Sequence, residues 1–348
     1  MSAESPVVTK RQLQRAVLAR QLLLERASTP VPDTLERVAG LQAQYAPTMY
    51  IGLWSRLTAF ERDDLTRALE RRSVVQGTMM RSTIHLVSAT DYWPLNIAIR
   101  DRRRSWWLRL PGTTLGEIGV RRAAERVRIR LATDGPLTAK ALVAIAGHDA
   151  VGAVGMWLDL VRIPPSGTWE RRRADLYEAA AHWIGPAPDI TADAAVDHLV
   201  RRYLTGFGPA TVNEIANWAG LTVGDVTRSA DRVAGREFRT DDGKRLVDLA
   251  DQPLPDPDIR APVRFLSTWE AVLLVHARRA GVLREEDRPR IFSTKMPQSL
   301  NTYLVDGEVA GTWRHEGGRI EVSPWRRESR TTAAEVRDEA DRLTELFA

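Results

Sequence analysis

The sequence predicts an α+β fold, mainly helical, with three tandem helix-turn-helix units and a small C-terminal β-barrel. Three observations carry that expectation. The first is a repeat: Gly135-Pro136-Leu137-Thr138 through Ala146-Gly147 and Gly208-Pro209-Ala210-Thr211 through Ala219-Gly220 share G-P-x-T, a seven-residue segment with spaced apolar residues, then Ala-Gly. Pro32-Asp33-Thr34 through Ala39-Gly40 is a looser copy, and Gly52-Leu53-Trp54-Ser55-Arg56-Leu57 parallels Gly155-Met156-Trp157-Leu158-Asp159-Leu160. The second is a switch to strand character across Val74 to Val87. The third is a proline-rich boundary, Asp251 to Pro262, followed by short apolar runs separated by Asp306-Gly307 and Gly317-Gly318.

Residues 1–115 form the first unit. Leu13, Val17, Leu18 and Leu22 recur at helical spacing, as do Leu35, Val38 and Ala39. Further helices are expected over Tyr50 to Leu57 and Asp63 to Arg71, with Gly77 turning a hairpin between Val74-Val75-Gln76 and Met79 to Val87. Helices followed by a hairpin make a winged helix. In the second unit, 116–190, Thr138 suits a helix N-cap, Gly147 a C-terminal stop, and Ala150 to Val161 a second helix. Pro164-Pro165-Ser166-Gly167 is its expected wing loop, with Trp169 and Arg171 to Arg173 beyond. The third unit, 191–250, holds helices over Ala194 to Leu204, Val212 to Trp218 and Val223 to Arg232, and a hairpin turned by Asp241-Asp242-Gly243. In 251–348, strands are expected at Val263 to Leu266, Tyr303 to Val305, Val309 to Arg314 and Arg319 to Val322. A terminal helix, Ala333 to Phe347, closes the barrel.

The chain of 348 residues carries a net charge of +5, and lysine occurs only at Lys10, Lys140, Lys244 and Lys295. Nearly every cation is therefore an arginine, whose planar fork matches phosphate and guanine edges. Clusters at Arg100, Arg102, Arg103 and Arg104, at Arg121, Arg122, Arg126, Arg128 and Arg130, and at Arg171, Arg172 and Arg173 point to an acidic polymer as partner. There is no cysteine, and the six histidines show no ligand spacing. Phosphate-loop, zinc-protease and nucleophile-elbow motifs are lacking, so neither metal nor cofactor is expected. No apolar run suits a bilayer span, and Met1 to Lys10 lacks a signal-peptide core. The expectation is a cytoplasmic, nucleoid-associated protein with no membrane partner.

Gly40-Leu41-Gln42-Ala43-Gln44-Tyr45 lies in the enlarged turn of the first unit. If Gly40 stops the preceding helix, extended backbone aims Gln42 and Gln44 the same way. Paired neutral amides can hold a water by donating and accepting without being strong bases.

Leu41-Gln42-Ala43-Gln44, Tyr50 to Leu57 and Met80-Arg81-Ser82-Thr83-Ile84-His85-Leu86-Val87 resemble motifs of the winged-helix DNA glycosylases of the AlkZ/YcaQ family. Tyr303-Leu304-Val305-Asp306-Gly307 and Val309-Ala310-Gly311-Thr312-Trp313 extend the likeness, which runs from about Leu13 to Trp325. One departure is Ser267-Thr268-Trp269-Glu270-Ala271, which stands where relatives carry a Pro- and Asp-Asn-containing run. The resemblance implies three tandem winged helices and a barrel around a basic surface for double-stranded DNA with alkylated purines. It implies monofunctional release of N7-alkylated guanine, including bulky adducts and, in some members, interstrand crosslinks, by a monomer in repair or self-resistance to a genotoxic natural product. The resemblance implies a catalytic pair that is Gln-x-Gln in AlkZ-type members and Gln-x-Asp in YcaQ-type members, and Gln42 and Gln44 match the AlkZ-type pair. Tyr45, Arg81, Ser82, Thr83, His85, Arg171, Arg172, Arg173 and Lys295 are candidates for the pocket or DNA contacts. The rival reading is a winged-helix transcriptional regulator without catalysis.

Overall fold

A computed structural model describes residues 5–111, 115–292 and 299–348. It is an α+β protein, about half helical. Helices begin where the sequence supplies hydroxyl caps. Thr9, Ser88, Thr138, Thr191, Thr211 and Thr222 each accept a backbone N–H from the first turn that follows.

The first segment contains β1 (Val7–Val8), α1 (Lys10–Arg20), α2 (Val31–Val38), β2 (Leu41–Gln42), α3 (Ala46–Trp54), α4 (Arg62–Glu70), β3 (Val74–Thr78), β4 (Ile84–Ser88) and α5 (Ala89–Leu108). The second contains α6 (Glu117–Asp134), β5 (Leu137–Thr138), α7 (Ala139–Ala146), α8 (His148–Leu158), β6 (Leu160–Arg162), β7 (Leu176–Ala179) and the short α9 (Ala180–Trp183). The third contains α10 (Ala192–Phe207), α11 (Val212–Ala219), α12 (Val223–Val233), β8 (Arg236–Thr240) and β9 (Arg245–Asp248). The last contains β10 (Arg264–Leu266), the single-turn α13 (Arg288–Ile291), β11 (Thr302–Val305), β12 (Glu308–Glu316), β13 (Arg319–Pro324) and α14 (Arg330–Phe347).

Hydrogen bonding crosses the segments. Strands of the first two join in one antiparallel sheet, ordered β2-β4-β3-β6-β7-β5, where Gln76 faces Arg162 and Gly77 faces Val161. β1 adds in parallel to β8 of the third segment. α8 ends earlier than the sequence suggests, because Asp159 turns left-handed at φ 55° and frees Leu160–Arg162 to pair with β3. The expected strand Met79 to Val87 is also broken. Met80–Ser82 is a tight turn in which Arg81 and Ser82 both take positive φ, at 53° and 59°.

The expected barrel is instead an open sheet. Among the described residues β10 pairs only with β11, and β13 only with β12. The reason lies in what covers the apolar face. Val309, Gly311 and Trp313 alternate inward along β12, and Leu343 and Leu346 of α14 share a buried cluster with Trp313 and Phe265. A helix laid on the sheet buries that face without closure. No single helix among the described residues is long and apolar enough to cross a membrane.

A buried ion pair joins the ends of the chain. The fully buried Arg56 donates to Glu270 Oε1 at 2.8 Å and Oε2 at 3.2 Å, to the Gly52 carbonyl at 2.9 Å and to Gln21 Oε1 at 3.1 Å. Gln21 in turn donates to the Val38 and Gly206 carbonyls at 3.0 and 2.9 Å. One network thus ties α1, the end of α2, the end of α3, α10 and the segment after β10. Glu270 lies in the run that departs from the family pattern, so this run has a structural task. Removing one partner leaves the other charge buried and unpaired. Glu270→Ala should therefore lower unfolding free energy by about 3–5 kcal/mol in urea titration, whereas Arg56→Met with Glu270→Leu should cost far less than the sum of the single truncations.

Candidate active site

The turn after α2 depends on two left-handed residues. Ala39 caps the helix at φ 64°, and Gly40 continues at φ 76° while donating to the Leu35 carbonyl at 2.8 Å. A Cβ on Gly40 would sit 2.9 Å from Val87 Cγ1 and 3.0 Å from the Leu86 oxygen, so glycine is required for the approach of β2 to β4. β2 then pairs with β4, placing Leu41 opposite Leu86 and Gln42 opposite His85. Leu41 and Ala43 point into the core, while Gln42 is half-buried and Gln44 exposed. This is the alternation that aims both amides away from the core.

The ladder closes through a side chain. Ala43 N donates to the Ile84 carbonyl at 2.7 Å, but the Ile84 N–H is accepted by Gln44 Oε1 at 3.1 Å. A backbone N–H fixes which amide atom faces it, so Gln44 presents its oxygen inward and keeps its NH2 to donate. The Gln42 amide makes no hydrogen bond to any described residue, which leaves both its donor and acceptor available.

His85 stands across from Gln42 and is buried at 3% exposure, with Nδ1 3.1 Å from the Thr83 carbonyl. Burial, reinforced by the neighbouring Arg81, holds its pKa down to about 3. The ring is neutral at physiological pH. A neutral ring that meets a carbonyl through Nδ1 must carry its proton there, which leaves Nε2 as an acceptor. No carboxylate hydrogen-bonds Gln42, Gln44, Tyr45, Thr83 or His85 among the described residues. No group of acids and histidines there could hold a metal.

The second segment reaches this site through its loop after β6. Trp169 packs edge-on against Tyr50 and Phe347, with ring centroids 5.5 and 5.1 Å apart, and Gln76 Nε2 donates to the Gly167 carbonyl at 2.8 Å. So anchored, the loop places Arg172 Nη1 3.0 Å from the Tyr45 hydroxyl, which accepts its hydrogen bond. Arg171 and Arg173 are exposed on the same loop, and Arg173 pairs with Asp175 at 3.1 Å.

Gln42, Gln44, Tyr45, Thr83, His85 and Arg172 thus come together. Thr83 donates to the Met80 carbonyl at 3.0 Å and Ser82 is half-buried in the left-handed turn. Arg81 turns away from solvent, donates to the Trp218 carbonyl of α11 and staples the first segment to the third. Lys295 lies outside the described residues. Sequence reasoning missed Gln76 as the loop's anchor. A polar residue amid the apolar Val74-Val75 strand was the available signal.

Paired amides beside a neutral imidazole and a basic loop make a class of site that can hold a water without a strong base and can meet a polyanion. Comparison with known proteins gives this class a family. The model described as DNA glycosylase AlkZ-like matches residues 35–346, and the chain belongs to that family of DNA-repair enzymes. The interstrand DNA cross-link repair glycosylase of Streptomyces sahachiroi is 22% identical over 352 residues, covering 93% of this chain and 92% of that protein. The solved structure of the Streptomyces sahachiroi DNA glycosylase AlkZ has the same fold, with a TM-score of 0.82, 20% identity and coverage of 98% of this chain and 97% of that one.

The neutral, buried imidazole has a thermodynamic signature. Unfolded histidine takes up its proton near 6.5 and folded His85 near 3. Between those values the unfolded state binds more protons, so this contribution is present above about pH 6.5 and lost as pH falls toward 3. Urea midpoints measured from pH 7.5 to 5 should decline less steeply in His85→Gln than in the wild type, by up to about 1.4 kcal/mol per pH unit. Parallel declines would contradict the buried neutral state.

Proposed function

We propose that this chain is a monofunctional glycosylase that hydrolyses the N-glycosidic bond of N7-alkylated guanine in duplex DNA, bulky adducts and interstrand crosslinks included. The observation that carries this reading is the pair of outward amides at Gln42 and Gln44, facing a neutral His85, with no carboxylate hydrogen-bonded to any of them among the described residues. N7 alkylation puts positive charge on the purine and makes it a good leaving group without protonation. The enzyme then has to place water at C1′ and stabilise an oxocarbenium-like centre, which positioned amides achieve. A nearby strong base is unnecessary. The relative named for interstrand cross-link repair supports the bulky end of the substrate range.

Segments 1–115, 116–190 and 191–250 act in this reading as three winged helices along the duplex, with 251–348 as a further unit bracing the first. The protein works as a cytoplasmic monomer on nucleoid DNA, in repair or in self-resistance to a genotoxic natural product. Excision ends at the abasic site. None of the four lysines lies in the Leu41–Gln44 or Thr83–His85 motifs, and a lyase step needs an amine nucleophile.

Gln42→Ala and Gln44→Ala should each slow single-turnover excision of N7-methylguanine by the equivalent of about 3–4 kcal/mol, by analogy with a lost oxyanion-hole donor, with little change in thermal stability. The double variant should be scarcely slower than the poorer single one. Gln44→Asp retains an oxygen for the Ile84 N–H and should keep part of the activity. Wild-type rates in both alanine variants would refute the assignment. Binding to undamaged duplex should ignore sequence and weaken steeply with salt, with a log–log slope of about −0.9 per phosphate neutralised; a flat response at one tightly bound sequence would favour the regulator.

A further inference from the structure

Between α5, α8 and the β6–β7 hairpin lies a cavity of about 260 Å³, lined by Thr78, Arg103, Gly152, Met156, Arg162 and Tyr177 among others. Neither of its two cations has a carboxylate partner among the described residues, and both are largely desolvated by burial. Arg103 is 7% exposed and donates only to Asn96 Oδ1, at 3.2 Å. Arg162 donates to Thr78 Oγ1 at 3.1 Å and lies over the Tyr177 ring, 5.1 Å from its centroid. Neither forms an ion pair with a described residue, and the Nε of each is buried without a partner. The one carboxylate nearby, Asp159, is already taken by Asn96 at 2.8 Å and Arg100 at 3.1 Å. Two guanidinium groups left without counter-charge in a low-dielectric wall destabilise the free protein. That cost has a function if an anion completes the site.

The cavity is reachable, and its Thr78 and Arg162 project from the face of the sheet opposite Gln42 and His85. Gly152 on its wall is exposed, and a Cβ added there meets nothing within 4 Å. Thr78 faces Ile84 across β3 and β4, and Ile84 is the residue whose N–H orients Gln44. Arg103 is also close enough to His85 to lower its proton affinity.

We propose that Arg103 and Arg162 form a phosphate-binding pocket that takes one backbone phosphodiester of the bound duplex, away from the nucleotide whose sugar the amides address. The proposal rests on the glycosylase reading only for the identity of that nucleotide. The chemistry recognised is a tetrahedral oxyanion held by two guanidinium forks and the Thr78 hydroxyl.

The test measures binding without catalysis. Wild type, Arg103→Met, Arg162→Gln and Gly152→Leu are titrated by fluorescence anisotropy with a duplex bearing a stable abasic-site analogue, and then with the same duplex carrying one methylphosphonate at successive linkages. Gly152→Leu fills the cavity while both arginines are kept, its Cβ has open space, and replacing a helical glycine should leave folding intact. All three variants should weaken binding on the order of thirtyfold and reduce the salt slope by about one phosphate. At one linkage the methylphosphonate should lower wild-type affinity to that of the variants and leave theirs unchanged. Arg103→Met should melt no lower than wild type, since it removes an unpaired buried charge; a purely structural arginine would instead destabilise when lost. Unchanged affinity in Gly152→Leu and Arg162→Gln would overturn the proposal. So would the lack of any linkage at which wild type and variants converge, even if millimolar inorganic phosphate raises the wild-type melting temperature, for the pocket would then serve a free anion. Wild type that binds and shows these differences yet excises nothing would count against the glycosylase reading alone.

Discussion

The Arg56–Glu270 pair is the constraint on which the rest of this structure depends. Arg56 lies fully buried, and its fork spans Glu270, the Gly52 carbonyl and Gln21. Through Gln21 the network holds the Val38 carbonyl, one residue before the backbone turns left-handed into the amide-bearing strand. An ion pair so placed is a poor source of net stability, because desolvation offsets most of its attraction. What it provides is geometry: a single register between the end of α2, the end of α3 and the C-terminal segment. The three surfaces meet in one way, because every other arrangement strands a charge.

That geometry fixes a site whose electrostatics run in one direction. The candidate cluster has amides, a hydroxyl, a neutral imidazole and arginines, and no carboxylate partner among the described residues. Such a surrounding attracts phosphates and offers no strong base. Strain sits close by, since Arg81 and Ser82 occupy positive φ in succession, each costing on the order of 1–3 kcal/mol. The staple from Arg81 to the Trp218 carbonyl holds the turn in place. Its effect is to end the β3–β4 hairpin abruptly, so that Thr83 and His85 arrive beside Gln42 and Gln44.

Much of this was legible in the chain. The repeated Thr caps and Gly stops marked α7 and α11 with their ends, because those signals act locally. The orientation of Gln42 and Gln44 followed from a stop before Leu41 and strand periodicity after it. The stop begins one residue earlier, at Ala39, and Gly40 then serves close packing on Leu86 and Val87. Tertiary pairings were not legible. Nothing local says that β6 zips onto β3, that Trp169 inserts beside Tyr50 and Phe347, or that Glu270 answers an arginine 214 residues away. The barrel expectation failed for a similar reason. Alternating strands announce a buried face, but whether a helix or a further strand covers it depends on a distant partner, here α14.

The central claim is that neutral amides, and no titrating base, organise the water. Its most direct test is the pH dependence of single-turnover excision of N7-methylguanine by the wild-type enzyme between pH 6 and 8. With Gln42 and Gln44 uncharged throughout and His85 protonated only near 3, the account predicts a flat profile across that range. A rate that climbs tenfold per pH unit to a plateau would reveal a general base and contradict it.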